Sequence, residues 1–342
     1  MVNKLVVTIV VVAFILVGIG IHFALSINKK ETDQLSVFSA DAYLQESNSL
    51  LSSFKNSTGI PFLPVKSGGS YDMAREISQG ETSTNFISVA LSSYNQSYLG
   101  THYSGWAVAF ATDHLALAYF NGTGESSFAK SIIHDLDLGY ATNNTDLLRE
   151  GYYNLTSGTV RVGISDPLTD PAGYRGWLSL QVAGKILENN TSYYTSRLIS
   201  NSGNVTASSA ADLVAPLETG EIQFLFIYRS AAIAKEMPYL NLSNQTNFGD
   251  PGLSGYYAGY NLNYSGTEFT GGAIYLLISV PANEPYYNLS MNFTLYVIEH
   301  NSLMIPYGLS PLTHCILYNS TAPPASLSKL ISSGNMSNGG PV

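Results

Sequence analysis

Residues 165–180 read SDPLTDPAGYRGWLSL, and this stretch decides the fold. It follows the apolar run TVRVGI (159–164), which is typical of a short buried strand. An Asp-Pro pair then turns the chain, and a helical pattern opens on the small residues Ala172 and Gly173. Because small residues leave the unpaired backbone N–H groups of a helix start open to approach, the stretch predicts a strand–turn–helix unit that can receive an anion.

The same alternation of strand-like and helix-like runs extends along the chain. The apolar runs include LSVFSA, IPFLPV, WAVAFA, IQFLFIY and GAIYLLISV, and amphipathic runs lie between most of them. This alternation predicts α/β architecture with mostly parallel sheets. Two further predicted helices begin on small residues, one near Ser70 and one at 208–211, and neither has Lys or Arg in its first turn. Three such starts suit an anion that is held by neutral donors.

The overall composition restricts the classes of function. The chain has 342 residues, with 14 Phe and 24 Tyr, which is enough to bury one large core or two medium ones. Its net charge is -9 and only 11% of its residues are charged, so no basic face is available to neutralise nucleic-acid phosphates. The single cysteine, Cys315, cannot form an intramolecular disulfide and is expected to be a small buried residue.

The two ends of the chain and its sequons predict a location. Residues 5–25 form an uncharged run long enough to cross a bilayer, and they predict a transmembrane anchor helix or signal over residues 1–30. A polar spacer is predicted over 31–35 and a disordered tail over 332–342. The sequons predict a glycosylated domain at the cell surface. Their fifteen asparagines are Asn56, Asn95, Asn121, Asn143, Asn154, Asn189, Asn190, Asn204, Asn241, Asn244, Asn263, Asn288, Asn292, Asn319 and Asn335.

Two blocks of the sequence resemble one known family. The first, ISDPLTDPAGYRGWLSLQVAGKILEN (164–189), is similar to that family's Ser-Asn-Pro-x-x-Asp-Pro-(Cys/Ala)-Gly-Tyr-Arg segment and the helix after it. The second, DLVAPLETGEIQFLFIYRSAAIAKEMPYLNLSNQTNFGDP (212–251), resembles its Leu-(Glu)-Ser-Gly-Glu-Ile segment and the residues that follow. With weaker matches in the same order over 36–331, the chain resembles the extracytoplasmic molybdate/tungstate-binding proteins of ABC transporters, especially the archaeal kind.

This resemblance implies a two-lobed clamp of the type II periplasmic-binding-protein class. Two α/β lobes joined by crossing strands would hold the anion in the cleft between them. Lobe 1 would comprise residues 36–112 and 240–331, and lobe 2 would comprise residues 113–239. The ligand would be molybdate or tungstate, no cofactor would be needed, and the partner of this monomeric protein would be an ABC permease in the membrane.

Carried over position by position, the resemblance also assigns the anion-binding groups. Backbone N–H groups, one hydroxyl and one phenol would hold the oxyanion without a positively charged side chain. Arg175 and Arg229 are therefore expected to brace the lobe, because neutral donors suffice and a bidentate arginine would hold almost any tetrahedral anion. The implied ligand residues are Ser70, Ala172, Ala210 and Tyr228.

The chain departs from the family's pattern at two positions. The first-loop serine of the family aligns with Ala42, so the Ala42 N–H group or the Ser39 hydroxyl would have to substitute for it. Members with an expanded shell of six oxygens around the metal use two carboxylates, and of these one aligns with Asp170 and the other with Ala210. The second carboxylate is therefore expected to be absent. We expect four oxygens around the metal, with Asp170 as the one side chain that could reach Mo or W.

Several of these residues also have a simpler structural interpretation. Asp170 before proline is a typical helix N-cap, and as a carboxylate it would repel a dianion unless the ligand supplied a proton, as hydrogen phosphate does. Ser70 could likewise be a helix cap, and Tyr228 could be a core tyrosine. Asp41 stands where the family has a small residue, and we expect it to cap the helix that follows it.

No motif in the sequence indicates an enzyme. The six histidines lack metal-ligand spacing, the segment NGTGES lacks the lysine of a phosphate loop, and no G-x-S-x-G elbow is present. Two alternatives to molybdate or tungstate transport remain open: a binding protein for phosphate or sulfate, and an anchored, glycosylated structural protein of the cell surface.

Overall fold

The fold is known from a computed structural model, which describes residues 34–122 and 126–342. The predicted anchor at residues 1–30 lies outside these residues. Among the residues that are described, no helix has both the length and the apolar character needed to cross a bilayer. Residues Leu35–Val342 form one unit of the chain.

The strands belong to three sheets, and most of them are short. In chain order they are β1 (Val37–Ala40), β2 (Lys66–Gly68), β3 (Asn85–Ser88), β4 (Trp106–Thr112), β5 (Leu115–Tyr119), β6 (Val162–Gly163), β7 (Asn204–Val205), β8 (Phe224–Tyr228), β9 (Tyr239–Asn241), β10 (Asn261–Tyr264), β11 (Thr267–Thr270), β12 (Tyr275–Ser279), β13 (Ser310–Asn319) and β14 (Met336–Gly340).

Helices connect most of these strands, and several further connections are short 3-10 helices. The α-helices are α1 (Leu44–Thr58), α2 (Ser70–Ser78), α3 (Gln96–Leu99), α4 (Ser127–Thr142), α5 (Thr145–Leu155), α6 (Pro171–Glu188), α7 (Tyr193–Ser200), α8 (Val214–Glu218), α9 (Arg229–Ala234), α10 (Asn244–Asn247), α11 (Ser254–Tyr257), α12 (Tyr287–Glu299) and α13 (Ala325–Ser332). The 3-10 helices are Asp41–Tyr43, Leu91–Tyr94, Gly100–His102, Ala211–Leu213, Pro251–Leu253 and Asn301–Tyr307.

The two larger sheets are mixed, which corrects the prediction of mostly parallel sheets. The seven-stranded sheet has the order β14-β13-β4-β12-β3-β1-β2, and the five-stranded sheet has the order β7-β6-β8-β5-β9. Half of the neighbouring pairs in each are antiparallel. Parallel neighbours must be joined by a connection that crosses over the sheet, and α1 and α2 supply these connections between β1, β2 and β3. Strands β12 and β13, in contrast, both run antiparallel to β4, which lies between them.

Three local predictions fail for identifiable reasons. The run IPFLPV is not a strand, since its two prolines lack N–H groups, and it contributes only an isolated bridge between Leu35 and Phe62. Leu35, which was predicted to lie in a polar spacer, is fully buried. The tail, predicted to be disordered, instead forms β14, which pairs in parallel with β13 and buries Met336.

Helix α6 fixes the segment that opened the sequence analysis. It begins with proline at its first position, directly after the N-cap residue Asp170, and it ends at Glu188, before the C-cap residue Asn189, which adopts a left-handed φ of 52°. Most of its side chains are buried. A Cβ atom at Gly176 would lie 3.1 Å from Cβ of Phe226 in β8, so the helix packs closely on the five-stranded sheet.

The chain passes from the seven-stranded to the five-stranded sheet through only two residues, Asp113 and His114, between β4 and β5. Asp113 is fully buried. Its carboxylate accepts hydrogen bonds from the His114 N–H group at 2.7 Å, from the Tyr43 hydroxyl at 2.9 Å and from the Ser230 hydroxyl. Tyr43 precedes α1 and Ser230 lies in α9, so one carboxylate ties the crossing point to elements beside both sheets.

We expect Asp113→Ala to lower the free energy of unfolding by on the order of 3 kcal/mol, because it leaves two buried hydroxyls without an acceptor. Urea unfolding followed by circular dichroism measures the change. Tyr43→Phe, which removes only one of these bonds, should cost about 1 kcal/mol. If Asp113→Ala were as stable as the wild type, the carboxylate would not hold the crossing point together.

Candidate functional site

A small cavity gathers five of the seven residues proposed as ligands from the sequence. Its volume is about 10 Å³, which is room for one water molecule at most. The residues that line it come from elements beside both larger sheets. They are Asp41, Ala42, Asp170, Ala172, Ala210, Ala211, Ile227, Tyr228, Ala231 and Lys235.

The start of α6 supplies the central group of this cavity. The Asp170 carboxylate caps the helix, as its Oδ1 accepts a hydrogen bond from the Ala172 N–H group at 3.0 Å. Its Oδ2 accepts a second bond, at 2.8 Å, from the N–H group of Ala210 at the next predicted helix start. The two backbone donors that the sequence assigned to an oxyanion therefore converge on one carboxylate.

Gly173 is small for a different reason from the one that the sequence suggested. A Cβ atom at this position would lie 2.1 Å from the carbonyl oxygen of Ser165, an impossible contact with the backbone. Gly173 therefore allows α6 to pack against the segment that follows β6. Access for an anion is not needed to explain this glycine.

Ser70 and Ser39 do not line the small cavity. Ser70 is the first residue of α2, is 1% exposed, and its Oγ accepts a long hydrogen bond of 3.5 Å from the Val89 N–H group. The Ser39 hydroxyl lies 2.8 Å from the hydroxyl of Ser47 in α1 and 3.0 Å from the Ala40 carbonyl oxygen. The Ser39 hydroxyl, which was proposed to replace the family's first-loop serine, is thus hydrogen-bonded to groups of β1 and α1.

Tyr228 is buried and already has a partner. Its hydroxyl accepts a hydrogen bond of 2.6 Å from Nη1 of Arg175, and its ring stacks on Tyr43 with 5.9 Å between centroids. Nη2 of Arg175 donates to the Val89 carbonyl oxygen at 2.9 Å. Arg229 likewise donates to a backbone carbonyl oxygen, that of Gly308. Both arginines bridge protein groups.

The sequence comparison with the resembling family missed a second carboxylate in the cavity, that of Asp41. Oδ1 of Asp41 accepts a hydrogen bond of 2.8 Å from the Ala42 N–H group, so the predicted Ala42 donor is occupied. Its Oδ2 is buried and has no hydrogen-bond partner among the described residues. The resemblance places the second carboxylate at Ala210, which has none, whereas the acidic residue at position 41, where the family has a small one, was the signal in the sequence. The expectation of four oxygens around the metal assumed a single carboxylate, and it stays a prediction.

The two carboxyl groups of the cavity have raised pKa values. Burial and the nearby Asp41 charge raise the pKa of Asp170 to about 7, although the N–H groups of Ala172 and Ala210 oppose the shift. Burial also raises the pKa of Asp41, and the hydrogen bond from the Ala42 N–H group offsets this rise in part. The cavity therefore takes up protons near neutral pH and is less negative than two free aspartates would be.

Comparison with known proteins gives the class of this chain. A profile described as bacterial extracellular solute-binding protein matches residues 35–280. The chain belongs to this family. It is therefore an extracytoplasmic solute-binding protein, a class that binds solutes and does not catalyse reactions. This membership argues against the alternative of a purely structural surface protein.

Individual relatives of this solute-binding protein agree with that class. An uncharacterized solute-binding protein of Saccharolobus solfataricus is 33% identical, over 90% of this chain and 78% of the relative. The molybdate/tungstate-binding protein WtpA of Pyrococcus abyssi is 24% identical, over 68% of this chain and 70% of WtpA. The periplasmic molybdate-binding protein of Azotobacter vinelandii has a similar structure, with a TM-score of 0.55 and 16% identity over 80% of this chain and 98% of that one. The last likeness shows the α/β two-domain, periplasmic-binding-protein-like fold.

Proposed function

We propose that this solute-binding protein captures a tetrahedral oxyanion, molybdate or tungstate, at the small cavity and delivers it to an ABC permease. One observation carries the proposal: the N–H groups of Ala172 and Ala210 meet at the two oxygens of a single carboxylate, at 3.0 and 2.8 Å. Two donors that reach the two oxygens of one carboxylate are also suited to two oxygens of an oxyanion. The carboxylate of Asp170 occupies the position that the anion would take.

The available donors are strong enough for tight binding. Hydrogen bonds to a charged group contribute about 1.5–3 kcal/mol each, and the start of a helix such as α6 adds roughly 0.3–1 kcal/mol. Tyr228 lines the same cavity, whereas the Ala42 N–H group is held by Asp41 and Ser70 lies outside the lining, so these two donors join only after a rearrangement. Five or six such bonds could reach a binding free energy near -12 kcal/mol, which corresponds to a nanomolar dissociation constant.

Binding requires a rearrangement of the cavity. A volume of about 10 Å³ does not admit an oxyanion beside the Asp170 carboxylate. Either this side chain turns away from the two N–H groups, or the elements from the two sheets separate and close again around the ligand. In both cases the anion replaces the Asp170 carboxylate as the acceptor of the hydrogen bonds from Ala172 and Ala210.

The similarity to WtpA supports molybdate or tungstate as the ligand. Hydrogen phosphate is a second candidate, favoured by the two carboxyl groups that line the cavity, because this anion has a proton to donate to one of them. We further propose a monomer held at the cell surface by the N-terminal segment and carrying glycans. Apart from Asn95, whose Oδ1 is buried, the sequon asparagines are half-buried or exposed and can carry a glycan.

The test compares tungstate, molybdate, sulfate and phosphate by thermal shift and calorimetry on the full chain. We expect molybdate and tungstate to raise the melting temperature. Ala210→Pro should weaken their binding by roughly 10- to 100-fold, because it deletes one N–H donor at a position whose φ of -64° already suits proline.

Tyr228→Phe should weaken binding less strongly, and Tyr194→Phe, which removes a buried hydroxyl that bonds Glu188 away from the cavity, should leave it unchanged. A response to phosphate alone would favour the second candidate. If the folded protein responded to none of the four anions, the oxyanion proposal would fail, although its place in the solute-binding family would stand.

A further inference from the structure

A second and much larger cavity lies beside the starts of α2 and α6 and shares no lining residue with the small one. Its volume is about 650 Å³, within the range of roughly 300–1,000 Å³ typical of small-molecule sites. Three parts of the fold form its walls: Tyr71 and Tyr98 from the α2 and α3 region, Tyr174 and Arg175 from α6, and Phe269 from the β10–β11 hairpin.

The walls of this cavity are mainly aromatic and are held in fixed positions by stacking. Tyr71 and Tyr98 stack with 4.8 Å between ring centroids, and Tyr174 and Phe269 stack at 5.2 Å with only 12° between their planes. The Tyr71 ring is 6.2 Å from that of Phe269, which links the two pairs. Such ring faces favour a flat apolar ligand, whereas an inorganic oxyanion has no surface to stack on them.

Arg175 brings to the cavity a buried positive charge that lies over the rings of Tyr174 and Tyr228 but is paired with no carboxylate among the described residues. Its side chain is 3% exposed, and its two hydrogen-bond partners, the Tyr228 hydroxyl and the Val89 carbonyl oxygen, are uncharged. Within the described residues no carboxylate forms an ion pair with it, and its Nε has no hydrogen-bond partner. Because a buried charge is costly unless it is paired, an anionic group of a ligand would compensate it.

We propose that this cavity binds a small aromatic carboxylate, as a ligand additional to the oxyanion of the proposed function. Its carboxylate would lie toward Arg175 and its ring among the stacked tyrosines. Ser92 and Asn95 also line the cavity, and Oδ1 of Asn95 lacks a hydrogen-bond partner among the described residues, so a ring hydroxyl has a polar end to meet. Glu268, the acidic residue of the lining, is exposed on the hairpin.

The cavity can be filled without touching the oxyanion site. Gly272 lines the large cavity, and a Cβ atom built on it meets no atom within 4 Å, so Gly272→Leu adds a side chain without a backbone clash. Gly255 has the same open surroundings but does not line the cavity, which makes Gly255→Leu the matched control.

The experiment is calorimetric titration of the full chain with 4-hydroxybenzoate. We expect saturable binding by the wild type and by Gly255→Leu, and at least a roughly tenfold weaker affinity for Gly272→Leu. Tyramine, which carries a positively charged aminoethyl group in place of the carboxylate, should not bind. The response of Gly272→Leu to tungstate should equal that of the wild type, which separates this site from the oxyanion site.

Three results would overturn the proposal. They are no binding of 4-hydroxybenzoate to the wild type, equal affinity in both glycine variants, and binding of tyramine as tight as that of the carboxylate. Tyr98→Leu, compared with Tyr287→Leu at an exposed tyrosine outside the cavity, gives a second pair of variants should Gly272→Leu not fold.

Discussion

Glu46→Gln should stabilise the protein increasingly as the pH rises, by about 4 kcal/mol more at pH 9 than at pH 5. Glu46 lies in α1, is 1% exposed, and neither of its carboxylate oxygens has a hydrogen-bond partner among the described residues. Burial, and to a smaller extent the Asp113 charge, raise its pKa from 4.5 to about 8.

The sign of this effect follows from proton binding. Between pH 4.5 and about 8 the folded chain holds a proton on Glu46 that the unfolded chain has lost. The free energy of unfolding therefore falls as the pH rises through this range, and a glutamine, which cannot ionise, avoids the loss.

Urea unfolding of the ligand-free chain at several pH values measures the difference. Glu221→Gln, at an exposed glutamate, is the control and should show no such growth with pH. A constant difference between Glu46→Gln and the wild type from pH 5 to pH 9 would mean that Glu46 is not buried as an isolated carboxyl group.

Local sequence signals predicted the helix starts well. Helix α2 begins at Ser70 and α6 begins at Pro171, where a double glycine and an Asp-Pro pair mark the ends of the preceding segments. These boundaries depend on a few neighbouring residues, whose backbone preferences act without help from the rest of the fold. The third start was less regular, because the segment 211–218 divides into a 3-10 turn and the short helix α8.

The contacts within the site could not be predicted from local sequence signals, because they join residues that are far apart in the chain. Nothing local to Asp170 indicates that its carboxylate also accepts the Ala210 N–H group, or that Asp41 lies in the same cavity. The sheet direction was mispredicted for the same reason, since β4 pairs with β12 and β13 from distant segments. Pattern and spacing describe neighbours in sequence, whereas these contacts are fixed by how the sheets assemble.

The affinity for tungstate should fall roughly tenfold or more between pH 6 and pH 8.5. Asp170, whose pKa is raised to about 7, loses its proton across this range. The neighbouring Asp41 is a second ionisable carboxyl group in the same cavity. A dianion would then compete with a charged carboxylate for the N–H groups of Ala172 and Ala210, and the charges would repel each other across a buried cavity. Calorimetry at constant ionic strength measures the trend.

Asp170→Asn should remove most of this pH dependence and bind tungstate more tightly than the wild type at pH 8.5, since the amide carries no charge. Asp137→Asn, at an exposed residue of α4, should follow the wild type. The opposite trend, with affinity that rises with pH and is lost in Asp170→Asn, would mean that the carboxylate is a ligand of the metal and not a competitor of the oxyanion. The direction of a single pH series thus distinguishes an internal carboxylate that the anion must displace from one that the anion binds.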